Sequence, residues 1–138
     1  MIATSQEMSS ACKPRIVLGT TMDCENIPFQ NIVWDAVART EHKGETGVAY
    51  WQTVQLPGLR LRVVTYSPGY KADHWCEKGH IVYCLEGEVT TEQKDGTSSV
   101  MTPGMSYVVS DGLSSHRSVS ERGVKLLIID GDFLQLKS

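Results

Sequence analysis

The sequence predicts an all-β domain. Short runs rich in Val, Ile, Thr, Tyr and Trp follow one another from Val48 onward. Turn pairs separate them: Pro57-Gly58, Pro68-Gly69, Asp95-Gly96, Pro103-Gly104 and Asp111-Gly112. No stretch carries a long helical period of apolar residues. Regularly spaced short strands of this kind build a sandwich or a barrel.

In chain order, residues 1–21 hold one apolar patch, Ile16-Val17-Leu18, and read as a flexible or loosely docked extension. The organised domain then spans 22–138, and a start at Met22 fits the same pattern. The only helical turn is expected near Val33–Ala38. Val48–Leu56 and Leu59–Ser67 read as strands, the second with Leu59, Leu61, Val63 and Thr65 on one face and Arg60, Arg62, Val64 and Tyr66 on the other. Ala72–Cys76 is a further expected strand, closed by a turn at Lys78-Gly79. His80–Leu85 comes next, with Gly87 marking a bulge or bend. Val89–Gln93 and Thr97–Thr102 form a hairpin, because Asp95-Gly96 supplies the positive φ its turn needs. Ser106–Ser110, His116–Val119, Val124–Asp130 and a short Phe133–Leu136 complete the set. The near-continuous apolar run in Val124–Asp130 predicts burial on both faces.

At 138 residues the chain is long enough for one domain with a core of its own. A net charge of −3 without Lys/Arg runs excludes a nucleic-acid footprint and a membrane-surface patch. No apolar stretch reaches the roughly 18 residues a membrane span requires. The four cysteines are Cys12, Cys24, Cys76 and Cys84; without a secretory signal or an N-x-S/T site, they point to reduced thiols in the cytoplasm.

The chemistry concentrates in His74-Trp75-Cys76-x-x-x-His80, with Gly87 seven residues on and His116 beyond a second glycine-punctuated segment. Three of the four histidines belong to this set. Imidazole and thiolate donors suit Zn, Cu or Fe better than Mg or Ca. Four donors on one ion would make a closed structural site, whereas three would leave a position for water or substrate. In a strand, His74 and Cys76 would share a face. The alternative is ordinary lining: a lone buried His is usually a hydrogen-bonded core residue, and a lone Cys a small hydrophobe. The Arg60 and Arg62 pair could anchor an anion if it faced inward, but such a pair more often marks a solvated face or an interface, which is the expectation here. Lys71 and Arg117 flank the donors with the same options. Phosphate loops, dinucleotide fingerprints, a G-x-S-x-G elbow and C-x-x-C pairs are all absent from the sequence.

The spacing resembles the first cupin motif, in which Gly leads to His-x-His, then Glu, then Gly. Here Gly69 leads to His74-x-Cys76, then His80, then Gly87 after six residues. Gly104 to Ser110-Asp111-Gly112 and His116 resembles the second motif without its proline. The changes, Cys for His and His for Glu, leave metal identity and reaction open. A closer resemblance is to the DHCW-motif cupin fold proteins, carried by Ile27-Pro28-Phe29, Glu41–Gly47, Asp73-His74-Trp75-Cys76, Lys78-Gly79-His80, Tyr83–Glu88, Pro103–Tyr107 and His116-Arg117. It implies a jelly-roll barrel, dimeric as cupins often are, with one site in its mouth. That site would hold a divalent transition metal (Zn, Fe, Cu or Ni) on His74, Cys76, His80 and His116. One reading left open is a metal-dependent enzyme, such as an oxygenase, isomerase or lyase, acting on a small molecule. The alternative is a non-catalytic cupin that binds or senses a small ligand without metal.

Overall fold

A computed structural model describes residues 15–17, 20–22 and 26–137. Cys12, Cys24 and most of the expected N-terminal extension lie outside the described residues. Across the expected boundary at residues 21 and 22 the backbone forms a small antiparallel pair, β1 (Arg15–Val17) with β2 (Thr20–Met22). The helical turn appears at Trp34–Ala36 as a single 3-10 turn.

Two antiparallel sheets follow. One takes the order β10-β7-β12-β5-β4-β3, from Ser106–Val109, His80–Gly87, Val124–Gly131, Leu59–Tyr66, Val48–Leu56 and Arg39–Lys43. The other takes the order β6-β11-β8-β9, from Tyr70–Lys71, His116–Ser120, Val89–Gln93 and Ser98–Met101. This is a jelly roll, but its sheets face each other without joining into the closed barrel expected. Links between them are local, as where Glu45 N–H donates to the Lys71 carbonyl and Lys71 N–H to that of Thr46.

Several elements depart from expectation for identifiable reasons. β3, Arg-Thr-Glu-His-Lys, has no apolar alternation to read because it is a sheet-edge strand. Phe133–Leu136 is no strand; Asp132–Leu134 is a 3-10 turn that buries Leu134. β12 is not buried on both faces. Val124, Leu126, Ile128 and Asp130 are buried, while the residues between them are half-buried. Its apolar run reflects a central position between β5 and β7 rather than a double covering.

The core sits between the sheets. Val64, Val82, Cys84 and Leu126 come from the larger sheet and Val89 and Met101 from the smaller one. Each such apolar side chain contributes about 1.5–3 kcal/mol on burial. Gly87 does make the expected bend. Its φ is 79°, a Cβ there would run into the Gly123 carbonyl, and the β12–β7 register slips at Lys125/Leu126 so that Leu85 has no partner.

The segment 72–76 matters most for the site. It does not continue β6 as a strand. Ala72 still donates to the Ser118 carbonyl, but the next pairing is Cys76 with His116, two residues later than an unbroken ladder from Lys71 and Val119 would place it. The chain therefore loops outward between Asp73 and Trp75. Stacking of the Arg117 guanidinium on Trp75, 4.4 Å from the ring centroid, holds the loop, and Arg117 also bonds Glu92 at 2.8 Å.

Candidate metal centre and its cavity

The outward loop separates two residues that strand geometry would have kept together. The His74 side chain is 75% exposed and pairs with Asp73 through Nδ1 at 2.6 Å. It lines the rim of the cavity and lies outside the donor cluster. Cys76 returns to the sheet, bonded to His116 through both backbone groups at 2.7 and 2.9 Å. That bridge is what carries its thiol to the imidazoles.

Cys76, His80 and His116 bring one donor atom each to within 4.8 Å of one another. Cys76 Sγ lies 3.6 Å from His80 Nε2. With metal–sulfur and metal–nitrogen bonds of about 2.3 and 2.0–2.1 Å, two ligands of a tetrahedral ion stand ~3.6 Å apart. The observed spacing fits. The imidazoles of His80 and His116 meet edge to face, with centroids 5.6 Å apart.

Each imidazole is prepared differently. His80 opens β7 and is buried; its Nδ1–H donates to Asp130 Oδ2 at 3.3 Å, which leaves Nε2 as the nitrogen with a free lone pair. Burial, and then the Arg62 charge, lower its pKa to about 4, so it is neutral near pH 7. His116 opens β11 and is 4% exposed, yet neither ring nitrogen has a hydrogen-bond partner among the described residues. Burial lowers its pKa too, against a weaker opposing influence of the Ser114 backbone, which approaches without meeting hydrogen-bond geometry. A buried polar group left without a partner costs about 1–3 kcal/mol. A metal bound at one ring nitrogen would remove that nitrogen's share of the cost. The donor set therefore fits a transition metal with three protein ligands, a number that leaves a coordination position for another molecule.

Asp130 organises the adjacent wall, and the sequence reading missed it. It is 3% exposed and accepts from Arg60 through both carboxylate oxygens (3.0 and 2.9 Å), from Arg62 at 3.1 Å and from His80. Burial pushes its carboxyl up, but the bonds and charge of Arg60, with those of Arg62 and His80, outweigh this and hold it below the usual range. The only sequence signal was an acidic residue ending an apolar strand. Arg60 and Arg62 correct the expectation of a solvated face: both line the cavity, and Arg62 is 5% exposed.

The cavity beside the donors has a volume of about 290 Å³ and lies between the sheets. Trp51, Tyr107, Val82 and Ile128 give it apolar walls; Arg62 and the three metal-donor candidates give it polar ones. At the lower end of ligand-site sizes, it suits a molecule smaller than a typical drug.

No protein-family model and no curated protein matches the chain. Solved structures do match in shape. A predicted oxalate decarboxylase from Thermotoga maritima aligns with a TM-score of 0.63 at 14% identity, over 74% of this chain and 99% of that one. A sugar phosphate isomerase from a cupin superfamily, from Silicibacter pomeroyi, aligns with a TM-score of 0.61 at 18% identity, over 74% and 75%. Ectoine synthase from P. lautus aligns with a TM-score of 0.60 at 21% identity, over 79% and 80%. The chain has the cupin fold.

Proposed function

We propose that the protein binds one divalent transition metal (Zn, Fe, Cu or Ni) through Cys76, His80 and His116, and that the adjoining cavity presents a small molecule to it. One observation carries this reading: a buried His116 with two unpartnered ring nitrogens stands beside a thiol and an imidazole at ligand spacing. His74 is a rim residue in this proposal, and Cys76 takes the place it was expected to share. The three neighbours carry the names of a predicted decarboxylase, an isomerase and a synthase, which supports an enzyme over a passive binder. They disagree on the reaction, and fold alone does not choose among reactions.

We also propose a cytoplasmic homodimer. The thiols of Cys76 and Cys84 are free, as a reducing compartment would leave them. Among the described residues no helix is long and apolar enough to cross a membrane. The outward face of the larger sheet is bare at Tyr83, Leu85 and Val108. On the β4 side, Gln52 on that face is tied to the 3-10 segment through the Trp34 and Val37 carbonyls. A second copy of the chain would cover the bare half.

Elemental analysis of protein expressed in Zn- and Fe-supplemented medium tests the metal. The expected result is about one equivalent per chain, lost in His80→Ala and in His116→Ala but kept in His74→Ala. Metal well below one equivalent in the parent protein would overturn the proposal.

A further inference from the structure

We propose that the cavity takes a small organic carboxylate whose anionic head rests on the Arg62 guanidinium. This deepens the preceding proposal, since it rests on the same cavity being the ligand site.

The wall behind the cavity carries an unbalanced charge. Arg60 and Arg62 share the single carboxylate of Asp130. The other cations lining the cavity are already paired nearer the surface, Lys78 with Asp111 at 3.7 Å and Arg117 with Glu92 at 2.8 Å. Arg60 keeps 29% of its side chain exposed to solvent, so Arg62 is the enclosed guanidinium, where an unmet donor is costly.

The missing partner can be located on Arg62. Its Nη2 donates to Asp130, but its buried Nε has no hydrogen-bond partner among the described residues. Asp130 does not supply one. Its Oδ1 is engaged by Arg60 Nε, and its Oδ2 receives Arg60 Nη2, Arg62 Nη2 and His80 Nδ1. The guanidinium is also fixed in place, 4.5 Å from the centroid of the Trp51 ring. A fixed guanidinium whose Nε–H lacks an acceptor matches the oxygen of a planar carboxylate. Trp51, Tyr107, Val82 and Ile128 then offer an apolar surface to the body of the ligand.

The test uses benzoate and its neutral isostere benzamide, with phenylacetate and acetate as further carboxylates. Each is titrated into EDTA-treated and metal-loaded protein and followed by melting temperature and calorimetry. Benzoate or phenylacetate is expected to raise the melting temperature saturably in both preparations, with benzamide at least tenfold weaker. Arg62→Lys keeps the charge but loses the fork, and is expected to weaken carboxylate binding about tenfold; Arg62→Gln should abolish it. If either variant fails to fold, the comparison of acid with amide in the parent protein still decides. Equal binding of acid and amide, no saturable binding of any carboxylate, or an unchanged affinity in Arg62→Lys would overturn the inference. Cys76→Ser separates the two proposals. Loss of metal with carboxylate binding intact would leave this inference standing whatever becomes of the metal.

Discussion

The two ends of the space between the sheets are built from the same strands and do opposite things. Along the inward face of β12, Val124 and Leu126 meet Tyr66 and Val64 of β5, and Leu126 meets Cys84 of β7. Farther along, Asp130 stands opposite Arg60, with Arg62 and His80 beside it. In four residues the lining changes from fully apolar to a charged network. β8 runs the same course, from Val89 in the core to Gln93, which pairs with His116. The cysteines divide accordingly. Cys84 is 0% exposed with its thiol pKa raised by burial, and it serves as packing, whereas Cys76 sits among ligand-type donors. One end supplies stability, and the other spends part of it on holding polar groups ready.

The largest effect is expected where the apolar end is cut. Leu126 is 2% exposed and central to the core, so Leu126→Ala should cost about 2–5 kcal/mol in denaturant unfolding. The folded fraction should keep its full metal content, because the donors come from β7, β11 and the loop before Gly79. A parallel loss of metal would show that the two ends are one cooperative unit.

The polar end should respond the other way. Asp130→Asn keeps the shape but removes the charge that fixes the His80 tautomer. Removing the partner of a metal-binding His typically costs 10–100-fold in metal affinity, and a loss of about that size is expected in competition with a chelator. An unchanged affinity would mean that packing alone orients His80. Because two arginines lose their counter-ion, a drop in stability is also expected, smaller than for Leu126→Ala.

The same contrast explains what the sequence could and could not reveal. Period-two alternation and Gly-containing turns made most strands readable, including the hairpin whose turn Gly96 closes with φ 98°. Alternation tells which residues face inward but not which end of the inward face is open. Arg62 therefore looked like surface, and Asp130 looked like the last residue of an apolar strand. His80 and His116 were legible because a motif spacing marked them. The departure of His74 from the donor cluster was not, since it depends on two extra residues looping out of a ladder, and nothing local in Asp73-His74-Trp75-Cys76 announces where pairing resumes. Edge strands such as β3 escaped for a related reason: polar on both faces, they carry no pattern.

The smallest effect expected concerns protons. In metal-free protein, burial holds His80 at about 4, against about 6.5 for an unfolded histidine. Between those values the unfolded chain binds the extra proton and the folded one does not, so stability falls as pH falls through that window and is fully present above it. From pH 6.5 to 5.5 the loss is on the order of 1 kcal/mol. His116, lowered in the same direction, adds to it, while Asp130 stays ionised over this range and adds nothing. Denaturant midpoints of EDTA-treated protein at the two pH values measure the slope, and His80→Gln should remove most of it. A bound metal should steepen the dependence, because protons then compete with the ion for the same nitrogen. A flat profile in the parent protein would mean that the polar end already admits enough water to solvate an imidazolium, and the contrast between the two ends would be one of residue type alone.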